Sequence, residues 1–145
     1  MNLSVNADKI GFSALQAALK TIPISPGCYQ MIDGAGKILY IGKAKNLLNR
    51  VTSYTNITNL NDRILRMVSQ IARVEIVIAK NEAEAFLIEA SLIKKHQPRY
   101  NVLLKDDKSF PYIRVDTTHP FPRIEKHRGA QNKPGEYFGP FANVL

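Results

Sequence analysis

Two short stretches of β-branched and aromatic residues flank a segment of turn formers, Asp33-Gly34-Ala35-Gly36, in the first third of the chain. This order predicts a β-hairpin. With those four residues as the loop, Ile32 pairs with Lys37, and counting outward along both strands puts Tyr29 directly opposite Tyr40. Residues paired across a ladder project on the same face. The pattern therefore predicts two phenols side by side, which alone is more typical of packing than of chemistry.

The rest of the pattern predicts four helices and two further strands. Apolar residues recur at helical spacing over residues 12–19, 45–54, 62–73 and 82–97. The last of these helices begins at a capping pair, Asn81 and Glu84, and ends before Pro98. Strand-like patterns cover residues 74–79 and 112–115. From Thr117 onward, Pro and Gly predict loop structure with no further helix or strand.

The fourth predicted helix carries a carboxylate in the middle of its apolar face. Glu89 has Ala85 and Phe86 one turn before it and Leu92 and Ile93 one turn after it. A carboxylate that leaves water needs compensating charge or hydrogen bonds, since otherwise its pKa rises until it stays protonated. Two kinds of partner meet that need: an Arg or Lys elsewhere in the fold, or a divalent metal ion.

Two cations follow the predicted hairpin. Lys43 ends the second strand, and Arg50 lies seven residues later, which is two turns of a helix. This spacing predicts that both side chains project from one helical face.

Composition narrows the class of protein. The chain has 145 residues, 45% of them hydrophobic, and this predicts one domain with a substantial core. Twenty Lys and Arg against twelve Asp and Glu give a net charge of +8, which favours a polyanionic partner such as nucleic acid. One cysteine and three dispersed histidines exclude a disulfide framework and a Cys-rich zinc site. Without a bilayer-length apolar stretch or a secretory signal, the sequence predicts a soluble protein of the cytoplasm.

Taken together, these residues resemble the motifs of the GIY-YIG endonuclease family. The resemblance is carried by Gly27-Cys28-Tyr29, Tyr40-Ile41-Gly42-Lys43, Arg50, Glu89 and Asn101. It implies an α/β (α+β) sandwich in which helices flank a small three-stranded antiparallel sheet. Cys28 departs from the family's usual branched aliphatic residue. Because Cys28 lies on the strand face opposite Tyr29, we expect the change to affect packing rather than chemistry.

The resemblance also implies roles for individual residues around a scissile phosphate. Glu89 would bind one Mg²⁺ or Mn²⁺ ion. The implied catalytic residues are Tyr29, Tyr40, Lys43, Arg50 and Asn101, although Asn101 is equally typical of a turn after a helix. Tyr40 is the favoured base, provided that Lys43 or the metal lowers its pKa from about 10.

A wider set of residues is predicted to contact DNA. The basic members on the third helical segment have an equally good interpretation as a solvated face. The set comprises Gly42, Lys45, Arg63, Arg66 and Arg73. Asp106 and Asp107 are flanked by Lys105 and Lys108, so they predict a charged turn rather than a metal site.

The run 98–111, together with Ser25-Pro26-Gly27 and residues 127–141, resembles the excision-repair branch of the family. This implies incision of a damaged DNA strand on the 3′ side of a lesion, with the repair protein UvrB as partner. The expected organisation is a helical leader at 1–25, a nuclease domain at 26–104 and an extension at 105–145 that stops before further domains. A stand-alone sequence-specific nuclease and a non-catalytic DNA-binding module are the alternatives.

Overall fold

A computed structural model describes residues 3–103 and 111–141 of the chain. Five α-helices, one short 3₁₀ helix at Ile57–Asn59 and six strands make up the described part. The helices are α1 (Leu3–Leu19), α2 (Leu47–Ser53), α3 (Asp62–Ser69), α4 (Glu82–His96) and α5 (Arg99–Leu103). The strands are β1 (Gly27–Ile32), β2 (Ile38–Ala44), β3 (Arg73–Ile78), β4 (Tyr112–Asp116), β5 (Arg123–His127) and β6 (Glu136–Phe138).

The first sheet is the predicted three-stranded antiparallel sheet, in the order β2-β1-β3. Helices α1, α2 and α3 cover one of its faces, and their side chains form the main core with Tyr29, Met31 and Tyr40. Helix α4 packs on β1 and β2, where Cys28 and Ala85 are buried in a second, smaller cluster. The predicted fold class is confirmed.

The predicted register of the β1–β2 hairpin is wrong by two residues. Tyr29 pairs with Gly42, and Met31 pairs with Tyr40. The loop accounts for one residue of this offset. The amide of Asp33 donates to the carbonyl of Lys37 at 2.9 Å, and Ile32 consequently pairs with Ile38 rather than with Lys37. The other comes from a bulge between Met31 and Ile32. Because side chains alternate with a period of two, the two offsets together keep Tyr29 and Tyr40 on one face.

Three helix boundaries differ from the predicted ones by two residues or more. Helix α1 begins at Leu3 rather than at residue 12. Helix α2 begins only at Leu47, because the side chain of Asn46 caps it by accepting from the amide of Asn49 at 3.1 Å. Helix α3 ends at Ser69, and Arg73 belongs to strand β3 instead. The predicted cap of α4 is confirmed, since Asn81 accepts from the amide of Glu84 at 2.8 Å.

The prediction that the chain is loop-like after Thr117 is wrong. Strands β5 and β6 pair with β4 on either side and form a second antiparallel sheet in the order β5-β4-β6. Every residue of β5 except His127 is exposed, and β6 has only three residues. Neither strand shows the alternation of buried and exposed residues by which strands are predicted. The predicted charged turn at Asp106 and Asp107 lies outside the described residues.

Within the described residues, none of the helices combines the length and the apolar character that a membrane span requires.

Candidate active site

Tyr29 and Tyr40 are both fully buried on the face of the sheet that α2 covers. Their ring centroids are 6.3 Å apart, with the rings tilted by 49°. Gly42 lies opposite Tyr29, and a Cβ atom added at Gly42 would come within 2.3 Å of the Tyr29 hydroxyl oxygen. The glycine therefore makes room for the phenol, whose hydroxyl lies over the backbone of β2. The expected pair of neighbouring phenols exists, although it is diagonal across the ladder.

Helix α2 brings a cation and a third tyrosine to this pair. The guanidinium Nε of Arg50 donates to the hydroxyl of Tyr29 at 3.3 Å, and the Nη2 of the same side chain donates to the hydroxyl of Tyr54 at 3.5 Å. The Tyr29 and Tyr54 hydroxyl groups are 2.8 Å apart. The guanidinium also lies 5.2 Å from the centre of the Tyr54 ring. Arg50, which is partly buried, and the two buried phenols thus form one polar cluster.

Glu89 reaches the site from α4 and is completely buried. Neither of its carboxylate oxygens has a hydrogen-bond partner among the described residues, and the same holds for the hydroxyl of Tyr40. Burial raises the pKa of Glu89 well above its ordinary value, while the charge of Lys43, its nearby backbone amide and the charge of Arg50 oppose that rise. That amide does not meet the geometry of a hydrogen bond to either oxygen. Of the two partners expected for this carboxylate, a direct ion pair is absent among the described residues. A cation between Glu89 and its surroundings would satisfy these oxygens.

Lys43 lies on the strand face opposite the two phenols, and the predicted helical face shared with Arg50 is wrong. Residue 43 is still part of β2, where it pairs with Cys28. Its ammonium group is 3.6 Å from the carboxylate of Glu82, and the side chain is 6% exposed. The positive charge of Lys43 acts on Glu89 and on Cys28, lowering the pKa of both carboxyl and thiol against the effect of burial. Lys43 thus supports the carboxylate rather than a phenol.

The pKa values of both phenols are raised rather than lowered. Burial is the largest cause for Tyr29 and for Tyr40. The charge of Arg50 opposes the rise in both, and the charge of Glu89 adds to it for Tyr40. A phenol in this site therefore needs further positive charge before it releases its proton.

Cys28 packs against α4, as expected for a residue on the face opposite Tyr29. Its thiol donates to the carbonyl of Ala85 at 3.0 Å. Burial raises the pKa of this thiol to about 12. It is therefore a packing group and a weak hydrogen-bond donor at neutral pH.

Asn101 lies at the outer edge of β2, and both ends of its side-chain amide are used there. The oxygen accepts from the amide of Ile41 at 2.9 Å, and the nitrogen donates to the carbonyl of Ile41 at 3.0 Å. Strand β2 is an edge strand, so without Asn101 these two backbone groups would have no ladder partner. Asn101 therefore fixes the backbone between Tyr40 and Gly42.

The residues predicted to contact DNA are dispersed. Gly42 is covered by the Tyr29 ring, and Lys45 is exposed just after β2. Arg63 donates to the carbonyl of Leu103 at 2.9 Å and so ties α3 to α5. Arg73 pairs with Glu75 at 3.1 Å. Arg66 on α3 is exposed. Its side chain makes neither a hydrogen bond of the kind that Arg63 makes nor an ion pair of the kind that Arg73 makes among the described residues.

Tyr54 was not identified from the sequence as a member of this site. The available signal was its distance of four residues from Arg50, which predicts contact one helical turn apart. Among the described residues there is also no group of three or more His, Cys, Asp or Glu side chains suited to a metal ion. A metal site here would rest on the single carboxylate of Glu89, with most of the coordination shell left to other oxygen ligands.

Comparison with known proteins identifies relatives of this arrangement. A family model for the UvrC-like GIY-YIG domain matches residues 25–102. UvrABC system protein C of Rhodospirillum rubrum is 56% identical over 134 residues, which cover 92% of this chain and 21% of the relative. The protein of the same name from Sphingopyxis alaskensis is 52% identical over 134 residues, with the same coverage. The chain spans about a fifth of the length of these relatives.

Solved structures give the same result for the fold. The GIY-YIG N-terminal endonuclease domain of UvrC from Thermotoga maritima, bound to magnesium as its catalytic divalent cation, is 38% identical. The match has a TM-score of 0.55 and covers 60% of this chain and 94% of that domain. Variants of the same domain with a tyrosine changed to phenylalanine, or an asparagine changed to alanine, were also solved with the catalytic cation bound.

Proposed function

The chain belongs to the UvrC-like GIY-YIG family, and we propose that it is a metal-dependent DNA endonuclease domain. The observation that carries the proposal is the pair of buried, unpartnered groups, the Glu89 carboxylate and the Tyr40 hydroxyl. Burying polar oxygens without partners is costly, so a fold that keeps them needs a ligand that satisfies them. A divalent cation and a phosphodiester supply the missing partners.

Glu89 is the residue that would hold the cation. Its carboxylate is a hard oxygen ligand of the kind that Mg²⁺ and Mn²⁺ prefer. When bound, the cation supplies charge neutralisation for a phosphodiester and its leaving oxygen. Lys43 favours the ionised carboxylate that binding requires, because its charge opposes the rise in the Glu89 pKa.

Tyr40 is the phenol that we assign to the attacking water. The Tyr29 hydroxyl already contacts Tyr54 and Arg50, whereas the Tyr40 hydroxyl has no partner among the described residues. Tyr40 is therefore free to accept a hydrogen bond from a water molecule, and once its own proton has been released to solvent, the phenolate can take the proton of that water. Its raised pKa means that this step depends on positive charge nearby, to which Arg50 contributes.

Arg50 and its two phenols form the phosphate-binding side of the proposed site. The guanidinium is a fixed positive charge with several donors, and these can be shared between phenol oxygens and phosphate oxygens. Tyr29 and Tyr54 hold the guanidinium in place through the hydrogen bonds described above. Asn101 acts through the backbone of Ile41 and is better described as a positioning residue than as a catalytic one.

The direct test is nicking of supercoiled plasmid by the purified chain, with Mg²⁺ or Mn²⁺ and with a chelator. We expect metal-dependent conversion to the open circle. Glu89→Gln should abolish it, whereas Glu84→Gln, a matched change five residues earlier on α4, should retain it. A folded Glu89→Gln protein that still nicks DNA would exclude Glu89 from the site.

We further propose that this activity serves nucleotide excision repair in the cytoplasm, with UvrB as the partner. The support is the similarity to proteins named UvrABC system protein C. The proposed reaction is incision on the 3′ side of a lesion. The test is to incubate the chain with a duplex that carries one site-specific lesion, with and without UvrB. We expect incision on the 3′ side that depends on the lesion. Sequence-specific cleavage of undamaged duplex would favour a stand-alone nuclease instead.

A further inference from the structure

The ammonium group of Lys43 is paired with Glu82, a residue to which the proposed site so far gives no role. Lys43 Nζ lies 3.6 Å from Glu82 Oε1. The lysine side chain is almost completely buried, whereas the glutamate side chain is 31% exposed. Among the described residues, Glu82 is the one carboxylate within ion-pair distance of this ammonium. The position of a buried charge at the candidate active site therefore depends on a partly exposed glutamate.

Glu82 is held in place by the beginning of α4, of which it is the first residue. Asn81 caps this end of the helix, since its side chain accepts from the amide of Glu84 at 2.8 Å. A negative charge in the first turn of a helix is also favoured by the helix dipole. The helix end thus fixes the backbone from which the Glu82 carboxylate reaches Lys43.

Glu82 and Glu89 lie on the same side of α4, because seven residues are two turns of a helix. This helix packs on β2, the strand that carries Lys43. Lys43 acts on both carboxylates, since it forms the ion pair with Glu82 and its charge opposes the rise in the pKa of Glu89. The Glu89 oxygens nevertheless have no hydrogen bond among the described residues. Lys43 thus influences Glu89 without occupying its oxygens.

We propose that Glu82 is a positioning residue that holds Lys43 away from the Glu89 oxygens and so keeps them open to the divalent cation. A lysine carries its charge on a flexible four-carbon stem, and opposite charges attract strongly in a buried site. Without Glu82, the ammonium would move onto Glu89 and occupy the oxygens that a cation needs. The inference rests on the proposed function, because it takes Glu89 as the residue that binds the cation.

Two simpler roles for Glu82 make different predictions. If the ion pair only stabilises the fold, its loss should leave the metal affinity unchanged. If the Glu82 charge attracts the cation directly, its loss should weaken metal binding to the same extent whether or not Lys43 is present. A role that acts through Lys43 requires the ammonium, so the effect should disappear when Lys43 is replaced as well.

Isothermal titration of the purified chain with Mn²⁺, in the absence of DNA, tests the inference. We expect Glu82→Gln to weaken Mn²⁺ binding about tenfold. Glu84→Gln, which removes the same charge from the same turn of α4, should leave the affinity nearly unchanged. In a Lys43→Gln background, Glu82→Gln should cause no further loss. Glu82→Asp keeps the charge, and the flexible Lys43 stem can follow it, so this variant should restore most of the affinity.

Crystal structures of the metal-free variants provide a second measurement that is independent of metal binding and of activity. In Glu82→Gln, the Lys43 ammonium should lie within ion-pair distance of a Glu89 oxygen. In Glu84→Gln, it should remain beside Glu82. Far-UV circular dichroism of each variant checks that the fold is retained, and Glu82→Asp serves the same comparison if Glu82→Gln does not fold.

Three results would overturn the inference: Mn²⁺ affinities equal for Glu82→Gln and Glu84→Gln, an equal loss from Glu82→Gln with and without Lys43, or a Glu82→Asp protein that binds Mn²⁺ ten times more weakly than the unmodified chain. Each is distinct from failure of the proposed function. That failure would appear in the unmodified chain itself, as absent Mn²⁺ binding or as binding that survives Glu89→Gln.

Discussion

At the scale of single residues, the site is defined by oxygen atoms that the described chain leaves unpartnered. Glu89 and Tyr40 are fully buried, and their side-chain oxygens have no hydrogen bond within the described residues. A buried polar group without a partner lowers the stability of a fold. Such groups are therefore kept at a cost to the metal-free protein, and that cost is measurable.

Glu89→Gln should raise the stability of the metal-free protein at neutral pH. Burial raises the pKa of Glu89 above its unfolded value, so the folded state binds the proton more tightly, and stability falls as pH rises through the unfolded pKa toward the folded one. Removing the charge should recover about 1–3 kcal/mol at pH 8, which corresponds to a rise of several degrees in Tm. Thermal unfolding with a chelator at pH 5 and pH 8 checks this.

The gain from Glu89→Gln should shrink at pH 5, where the carboxyl of the unmodified protein is more fully protonated. Added Mg²⁺ or Mn²⁺ should raise the Tm of the unmodified protein and leave that of the variant unchanged. A lower Tm for the variant at both pH values would mean that the carboxylate has a stabilising partner within the chain.

Tyr40→Phe and Tyr29→Phe should distinguish a hydroxyl that is needed for turnover from one that also stabilises the fold. The Tyr40 hydroxyl is buried without a hydrogen bond among the described residues, so its removal should raise the free energy of unfolding by about 1–3 kcal/mol while turnover falls on the order of 100-fold or more. The Tyr29 hydroxyl contacts Tyr54 and Arg50, so its removal should also cost about 1 kcal/mol of stability. Single-turnover nicking and urea unfolding of both variants measure the two effects. Normal turnover by Tyr40→Phe would exclude this phenol as the base.

At the scale of elements, the sequence predicted which face each strand residue occupies but not its exact partner. Face depends only on the period of two, whereas register depends on the loop and on the bulge near Ile32. The Asp33 side chain accepts from the amides of Ala35 and Lys37, both at 2.9 Å, and this local geometry selects the loop. Hydrophobic pattern carries no information about such contacts.

Helix boundaries limited the prediction of the site in the same way. Lys43 and Arg50 have helical spacing, but a capping asparagine at position 46 delays the helix until Leu47. Lys43 therefore follows strand geometry and lies on the side of Glu89. Strands β5 and β6 escaped prediction for a different reason: they are stabilised by pairing with β4 rather than by a buried face of their own.

Asn101→Ala should loosen the outer edge of β2 without unfolding the protein. The change leaves the amide and carbonyl of Ile41 unpaired in a buried place, which should cost about 1–3 kcal/mol. Hydrogen exchange followed by NMR should show faster exchange of the Ile41 amide, with the amides of β3 little affected. Turnover should fall while metal affinity is retained, since Glu89 lies on a different element. Unchanged exchange at Ile41 would mean that another group secures this edge.

At the scale of the whole molecule, α1 is expected to unfold together with the core of the first sheet. Leu15 on α1 is fully buried and belongs to the same core cluster as Tyr29, Tyr40 and Tyr54. At Gly11, an added Cβ would lie 2.1 Å from the carbonyl oxygen of Val68, so α1 approaches α3 with almost no space between their backbones. This close packing supports including α1 in the cooperative unit, in addition to the residues 25–102 that the family model matches.

Leu15→Ala should therefore lower the stability of the entire described fold by about 2–5 kcal/mol. Gln16→Ala, the neighbouring change at an exposed position, should have little effect. The measurement is thermal unfolding followed by far-UV circular dichroism and by tyrosine near-UV signals, which report the backbone and the buried phenols separately. If α1 is part of one unit, both signals should shift together to a lower Tm in a single transition. A far-UV transition that moves alone, with the tyrosine signals unchanged, would make α1 a separate unit whose packing does not support the site.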